Sequence, residues 1–188
     1  MKYILFNYYY FFIEQNVFWL VVLFMKIRIS STVKTTFLSV IEGFNEKLFR
    51  FLLPPERLAQ LIRYDGEKPG SMVHIRFSIP WKSDWISEIT DSKKQANKYY
   101  FIDKGVKLPF GLKQWKHRHV VKRINNNETQ IVDEIDFSTG YKLIDFLIYP
   151  ILCLAFITRK RSYRKFFEVR KPSNVWQHVN QLRVIITY

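Results

Sequence analysis

Cysteine is nearly absent from this sequence: Cys153 is the one thiol in 188 residues, which excludes an intramolecular disulfide and any cysteine-based zinc framework. That scarcity points to a reducing compartment, and the cytoplasm is the expected location. Acidic residues are also few, 16 Asp plus Glu against 30 Lys plus Arg, so the formal charge is +14. Glycine and proline number only 6 and 7, which rules out collagen-like and glycine-rich low-complexity chains. What the sequence has instead is apolar material, 48% hydrophobic and 18% aromatic. Burying that much surface offsets the entropy of ordering the chain, so one folded domain is expected rather than a disordered polymer.

Uninterrupted hydrophobic runs of membrane length are missing too. Met1 to Phe24 holds two shorter runs, Tyr3 to Ile13 and Val17 to Phe24, split by Glu14-Gln15-Asn16. A carboxylate near the middle of a span costs roughly 2.5 to 3.5 kcal/mol on insertion scales, which makes this a weak membrane anchor. With a single lysine at its start and no small-x-small site, it is a poor signal peptide as well. Met25-Lys26-Ile27-Arg28-Ile29-Ser30 reads as a natural domain start. The expected division is therefore an extension over 1–24, a domain over 25–170 and a tail over 171–188 that holds a possible strand from Arg183 to Tyr188. Membrane association is the alternative location if 1–24 is translated and acts as an anchor.

Periodicity organises the middle. Met25 to Thr36 is β-branched, with Ile27, Ile29 and Ser31 on one face, and reads as a strand. A helix follows, capped by Thr35 or Thr36, with Phe37, Val40, Ile41, Phe44, Leu48 and Phe49 spaced by three and four until Pro54-Pro55 stops it. Strands are expected over Ala59 to Tyr64, Ser71 to Ile79, Ser83 to Thr90, Lys98 to Asp103, Leu112 to Ile124 and Glu128 to Phe137, the last two joined by Asn125-Asn126-Asn127, since asparagine tolerates the positive φ of a tight turn. The last apolar stretch, Tyr141 to Phe156, has Leu143, Ile144, Phe146, Leu147, Ile148, Ile151, Leu154 and Ala155 at helical spacing and cations at its end, the pattern of a buried amphipathic helix bent at Pro150. The order is accommodated by an α+β architecture: a curved antiparallel sheet wrapped around a long C-terminal helix, with a cavity between them.

Four segments then carry a resemblance: "YYFIDKGVKLPFGLKQWKHRH" from Tyr99 to His119, "LIRYDGEKPG" from Leu61 to Gly70, "DEIDFSTG" from Asp133 to Gly140 and "DFLIYPIL" from Asp145 to Leu152. From about Met25 to Glu168 the chain resembles the START-like or SRPBCC superfamily of polyketide cyclases, lipid-transfer domains and pollen allergens, most of all its small bacterial ligand-binding members. The resemblance implies a helix-grip fold and a hydrophobic ligand, with Lys68 to Gly70 and Leu108 to Gly111 as loops at the cavity mouth. It carries no catalytic signature, and the superfamily contains both enzymes and carriers.

Chemistry concentrates on the strand from Leu112 to Ile124, where Trp115, His117 and His119 share one face and Lys116, Arg118 and Lys122 the other. A hairpin symmetric about Asn126 sets His119 opposite Asp133, His117 opposite Ile135 and Trp115 opposite Phe137, with opposed β-carbons roughly 4.5 to 5.5 Å apart. His119 and Asp133 then either orient a ligand's polar end, act as acid and base in a cyclase or dehydratase, or merely close the hairpin. A slip of one residue would put Glu134 in place of Asp133. A metal site from His117, His119 and Asp133 is conceivable, but neither metal nor cofactor is expected. Phe77, Trp85, Phe101, Trp115, Phe137 and Phe146 are expected to line the cavity with the histidines and Asp133, offering flat faces to sterols, isoprenoids or quinones. His74 and His178 are expected at the surface, and Ser87 and Ser138 lack a paired base, so nucleophilic catalysis has no support.

The positive charge attracts nucleic acid, anionic lipid and acidic partners alike. No RNA-binding signature or DNA-binding helix is present, so nucleic acid is not expected. Arg159-Lys160-Arg161 and Arg164-Lys165 suit transient contact with an anionic membrane, at ~1 kcal/mol for each cation near the bilayer. The expected function is non-catalytic binding or transport of a lipid, isoprenoid or polyketide-like molecule. The alternatives are the His119–Asp133 enzyme and a basic membrane-surface or protein-interaction module.

Overall fold

The computed structural model describes residues 26–168. Within them the chain runs β1 (Ile27–Val33), α1 (Phe37–Gly43), α2 (Glu46–Leu52), β2 (Ala59–Tyr64), β3 (Met72–Phe77), β4 (Ser83–Lys94), β5 (Lys98–Lys107), β6 (Gln114–Arg123), β7 (Thr129–Ser138) and α3 (Lys142–Glu168). The extension 1–24, the start at Met25 and the tail 171–188 with His178 lie outside the described residues. The seven strands form one antiparallel sheet in the order β1-β7-β6-β5-β4-β3-β2. Hairpins join β2 through β7 in sequence, and α1 with α2 carries the chain from one edge of the sheet to the other.

Strict alternation drives β1, whose Ile27, Ile29, Ser31 and Val33 are buried while Arg28 and Ser30 are exposed. The helical period after it, expected as one helix, folds as two. Asn45 interrupts it: its side-chain oxygen accepts from the backbone N–H of Lys47 at 3.0 Å and of Leu48 at 3.4 Å, starting α2 afresh. An asparagine that competes for backbone donors in this way favours an N-cap over a helix interior. Thr36 caps α1 likewise, accepting from Ser39 N–H at 3.2 Å.

β4 and β5 run past their expected ends at Thr90 and Asp103, because their distal halves are mostly exposed residues without a core-facing alternation. The register between them shifts at Ile86/Ser87 and again at Ile89/Asp91, irregularities of the kind that bend and twist a sheet.

The closing helix departs most from expectation. It continues through the basic cluster to Glu168, since Arg and Lys are good helix formers and Tyr163 and Phe167 prolong its buried stripe of Asp145 and Phe156. The stripe expected to be buried is instead exposed: Leu143 67%, Leu147 60%, Ile151 67% and Leu154 65%. Pro150 lies inside the helix. The start of α3 is tied to the end of β7 by the buried Asp145, which accepts from Thr139 N–H at 2.6 Å, Thr139 Oγ1 at 2.7 Å and Ser138 Oγ at 3.3 Å.

Three apolar clusters hold these layers. Phe37, Val40, Leu48, Val121, Tyr163 and Phe167 belong to the one that packs α1, α2 and the end of α3 on the sheet. Ile27, Ile29, Trp115, Ile135 and Phe156 seal the middle of α3 against the sheet, and Ala59, Leu61, Val73 and Ile75 close the β2–β3 edge. Among the described residues no helix is long and apolar enough to cross a membrane.

Candidate functional site

On β6, alternation turns Trp115, His117 and His119 to the buried concave face, leaving Lys116 exposed and Arg118 and Lys122 half-exposed. The register with β7 sets His119 opposite Asp133, His117 opposite Ile135 and Trp115 opposite Phe137. On the other side, β5 sets Phe101 opposite His119 and Asp103 opposite His117. Three adjacent strands therefore bring two carboxylates and two imidazoles together.

Each imidazole faces both carboxylates. His117 Nε2 lies 2.9 Å from Asp133 Oδ1 and its Nδ1 3.5 Å from Asp103 Oδ2. His119 Nδ1 lies 3.3 Å from Asp133 Oδ1 and its Nε2 3.4 Å from Asp103 Oδ2. The two rings stand 3.7 Å apart between centroids. Trp115 Nε1 donates to Asp103 Oδ1 at 2.9 Å, and the Tyr163 hydroxyl donates to Asp133 Oδ1 at 3.4 Å.

The pairing expected across the hairpin is present, with His119 Nδ1 3.3 Å from Asp133 Oδ1, but it is not the shortest contact. Asp133 is directly across from His119 but makes its short hydrogen bond diagonally, to His117, because diagonal neighbours on a sheet face are within reach of longer side chains. His119 instead stacks on Phe101, centroids 4.3 Å apart, and its Nδ1 and the Asp133 Oδ2 are buried without a hydrogen-bond partner among the described residues. Asp103 escaped the sequence reading, yet a signal was there: it shares the strand face of Tyr99 and Phe101, two residues apart each time.

Charge in the cluster follows from burial and contact. Burial raises the carboxyls of Asp103 and Asp133, but the close contact and charge of the two histidines outweigh it and hold both well below the usual carboxylate range. Burial pushes the His117 imidazole down, while Asp103 and Asp133 more than reverse this and leave it raised. Burial, reinforced by the Asp133 charge, holds the Tyr163 phenol well above its ordinary value.

A cavity of about 500 Å³ lies between the sheet, α2 and α3. Of the residues expected to line it, Phe77, Trp85, Phe101, Trp115, His117 and His119 do so, and Asp103 joins them. Three are placed elsewhere. Asp133 is 1% exposed and sits behind His117, Phe137 packs into the Trp115 cluster, and Phe146 is 41% exposed on α3. The far wall comes from residues the sequence did not suggest, Leu48, Phe49 and Leu52 on α2 and Leu152, Phe156 and Arg159 on α3. Gly66 borders the cavity, rather than Lys68 to Gly70 or Leu108 to Gly111. Phe110 instead packs edge-on against Phe77 and Trp81, at 5.4 and 6.0 Å.

Outside the cavity, His74 is half-buried rather than a free surface residue, its Nε2 2.9 Å from Asp84 Oδ1, where Arg76 and Lys107 also converge. Ser87 is buried on the cavity wall, and Ser138 is taken up by Asp145.

This combination of curved sheet, paired small helices and long closing helix occurs in known structures. The aromatase/cyclase Zhui from Streptomyces sp. R1128 superposes with a TM-score of 0.56 over 80% of this chain and 97% of its own, at 12% identity. The chain has the helix-grip fold. Norcoclaurine synthase from Thalictrum flavum shares this helix-grip architecture with a TM-score of 0.55, covering 79% of this chain and 88% of its own at 12% identity. Protein Ms6760 from Mycobacterium smegmatis does so with a TM-score of 0.56, covering 77% and 92% at 13% identity. No protein-family model matches the helix-grip chain, and no curated protein matches it in sequence.

Proposed function

We propose that this helix-grip domain binds a hydrophobic, ring-bearing small molecule of lipid, isoprenoid or polyketide type, with one polar group of the ligand directed at Asp103, His117 and His119, and does no covalent chemistry on it. The observation that carries the reading is the distribution of polarity around the cavity: largely aromatic and aliphatic walls, with Asp103, His117 and His119 gathered in one patch of the sheet. A volume of about 500 Å³ is in the range of small-molecule sites, which pair apolar walls with a few convergent polar groups. Trp85 meets Trp115 edge-on at 4.7 Å, an arrangement that offers flat surfaces to a ring. The likeness to an aromatase/cyclase, and to a synthase solved with dopamine and hydroxybenzaldehyde, supports a ring-bearing ligand.

The test is native mass spectrometry of the full chain purified from cells, followed by organic extraction and titration with a fluorescent anilinonaphthalene probe. A stoichiometric apolar adduct, or saturable probe binding that the extract displaces, is the expected result. An empty protein that also ignores the probe refutes the reading. Recovery of two extractable species that differ by ring closure or loss of water would favour the cyclase alternative.

The proposal extends to α3, where a specific observation favours transient contact with an anionic bilayer. Leu143, Leu147, Ile151 and Leu154 form an exposed apolar stripe, and Arg159, Lys160, Arg161, Arg164 and Lys165 follow on the same helix. A helix with apolar and cationic surfaces lies in the membrane interface without crossing it. Co-sedimentation with phosphatidylserine vesicles that weakens with salt, and that Leu147→Ser with Ile151→Ser abolishes, is expected. Salt-insensitive behaviour, or self-association in place of vesicle binding, refutes it.

A further inference from the structure

We propose that Asp103, His117 and His119 form a binding site for a divalent transition-metal ion, zinc being the best match, with an open coordination position facing the cavity. The spacing is the first argument. Asp103 Oδ2 lies 3.5 Å from His117 Nδ1 and 3.4 Å from His119 Nε2, and the three residues can each offer one donor atom within 4.8 Å of the other two. Bonds of about 2.0 to 2.1 Å around a tetrahedral ion separate ligand atoms by about 3.4 Å. The Asp103 contacts already have that separation.

The surroundings of the donors are the second argument. A ligating histidine ordinarily gives its other ring N–H to a carboxylate, which fixes the tautomer and strengthens the ligand. With Nδ1 of His117 on the ion, its Nε2–H points at Asp133 Oδ1, 2.9 Å away. With Nε2 of His119 on the ion, its Nδ1–H also faces Asp133 Oδ1, 3.3 Å away, and this is the buried nitrogen that otherwise has no hydrogen-bond partner among the described residues. Asp133 is thus placed to support both ligands from behind the cavity wall. The carboxylate of Asp103 is oriented as well, since its other oxygen accepts from Trp115 Nε1 at 2.9 Å.

Charge and access complete the case. A doubly positive ion balances the carboxylates of Asp103 and Asp133 with both imidazoles neutral. Two nitrogens and one carboxylate oxygen suit zinc and its first-row neighbours, whereas magnesium and calcium favour all-oxygen sets. All three ligands line the cavity, so a fourth position opens toward its contents, where water or a ligand oxygen would bind.

The metal site stands apart from the small-molecule reading, because metal and organic content are measured separately and either can fail alone. The full chain, stripped with a chelator, is titrated with zinc and then with cobalt(II), and bound metal is counted by elemental analysis. One zinc per chain, and the strong visible absorption of tetrahedral cobalt(II), are expected. Asp103→Asn and His119→Gln are expected to weaken zinc binding at least 100-fold, Asp133→Asn to weaken it roughly 10- to 100-fold as an outer-shell change, and His74→Ala to leave it unchanged. Circular dichroism establishes that each variant is folded. Absence of stoichiometric metal from folded wild type, or equal affinity in folded Asp103→Asn and His119→Gln, overturns the proposal. If those variants do not fold, the wild-type cobalt spectrum decides, because a weak octahedral band is incompatible with this site.

Discussion

Asp145 is the side chain whose removal most directly tests how the cavity's helical wall is held. It is 3% exposed in the first turn of α3 and accepts from the N–H and hydroxyl of Thr139 and the hydroxyl of Ser138. Asp145→Ala leaves Thr139 Oγ1 the Tyr141 carbonyl, 3.1 Å away, as an acceptor, and leaves the half-buried Ser138 hydroxyl, which still accepts from Gly140 N–H at 2.9 Å, to donate to water. The Thr139 N–H has no such substitute and is buried. Leaving a buried donor unpaired costs about 1 to 3 kcal/mol, and losing a carboxylate from a helix N-terminus about 0.3 to 1 kcal/mol more. The expected loss is about 3 kcal/mol in urea unfolding monitored by circular dichroism, with the slope against denaturant unchanged. Asp145→Asn keeps one carbonyl oxygen for Thr139 N–H, so it is expected to lose about half as much. A loss below about 1 kcal/mol for the alanine variant, or equal losses for both, would refute the anchoring role.

Other expectations are shorter to state. An added methyl at Gly43 overlaps the Phe167 ring, so Gly43→Ala is expected to lower stability by about 1 to 3 kcal/mol, and Phe167→Leu in the same chain to restore part of it; thermal unfolding that leaves the single variant at the wild-type midpoint contradicts the close approach. Trp85→Leu removes an aromatic face from the cavity wall, and a ring-on-ring contact with the probe is worth ~0.5 to 1.5 kcal/mol, so anilinonaphthalene affinity is expected to fall about 2- to 12-fold with the fold retained. Hydrogen bonds from His74, Arg76 and Lys107 hold the Asp84 carboxyl well below its ordinary range. The stabilisation it gives is therefore full above the unfolded value of about 3.9 and is lost as the pH falls through the lower folded value, so the stability gap between wild type and Asp84→Asn is expected to narrow in acid; a pH-independent gap between the two unfolding curves contradicts this.

How far the sequence carried the structure can be traced element by element. Strand alternation and the asparagine turn were local signals, and they led to the β6–β7 register that puts His119 opposite Asp133. The break at Asn45 was local as well, but a continuous apolar period across Phe44 and Leu48 masked it. The outcome for α3 was decided by tertiary packing. Its strongest apolar stripe faces outward, while Asp145, Phe156 and Tyr163 face the core, and spacing alone cannot say which of two faces a sheet will cover. Asp103 was missed for a related reason: its partners come from β6, and only the β5–β6 register brings His117 beside it.

That register also bears on whether the four polar groups serve only to hold the sheet together. Burying charge is expensive, several kcal/mol per ion, and replacing a buried ion network by apolar groups of similar volume is often neutral or stabilising by 1 to 4 kcal/mol. Removing one partner is a different matter, since it strands the others. If the cluster exists for a ligand or an ion, its wholesale replacement should leave the fold sound. Asp103→Val, His117→Leu, His119→Leu and Asp133→Val, with Trp115→Phe and Tyr163→Phe to remove the two donors that would lose their acceptors, are therefore expected to give a folded protein at least as stable as wild type. The same chain is expected to bind neither zinc nor a polar-ended ring ligand, while each single substitution is destabilising. A combined variant that unfolds at lower urea than every one of its single variants would show that the cluster's first role is to close the sheet, and its place on the cavity wall would then be incidental.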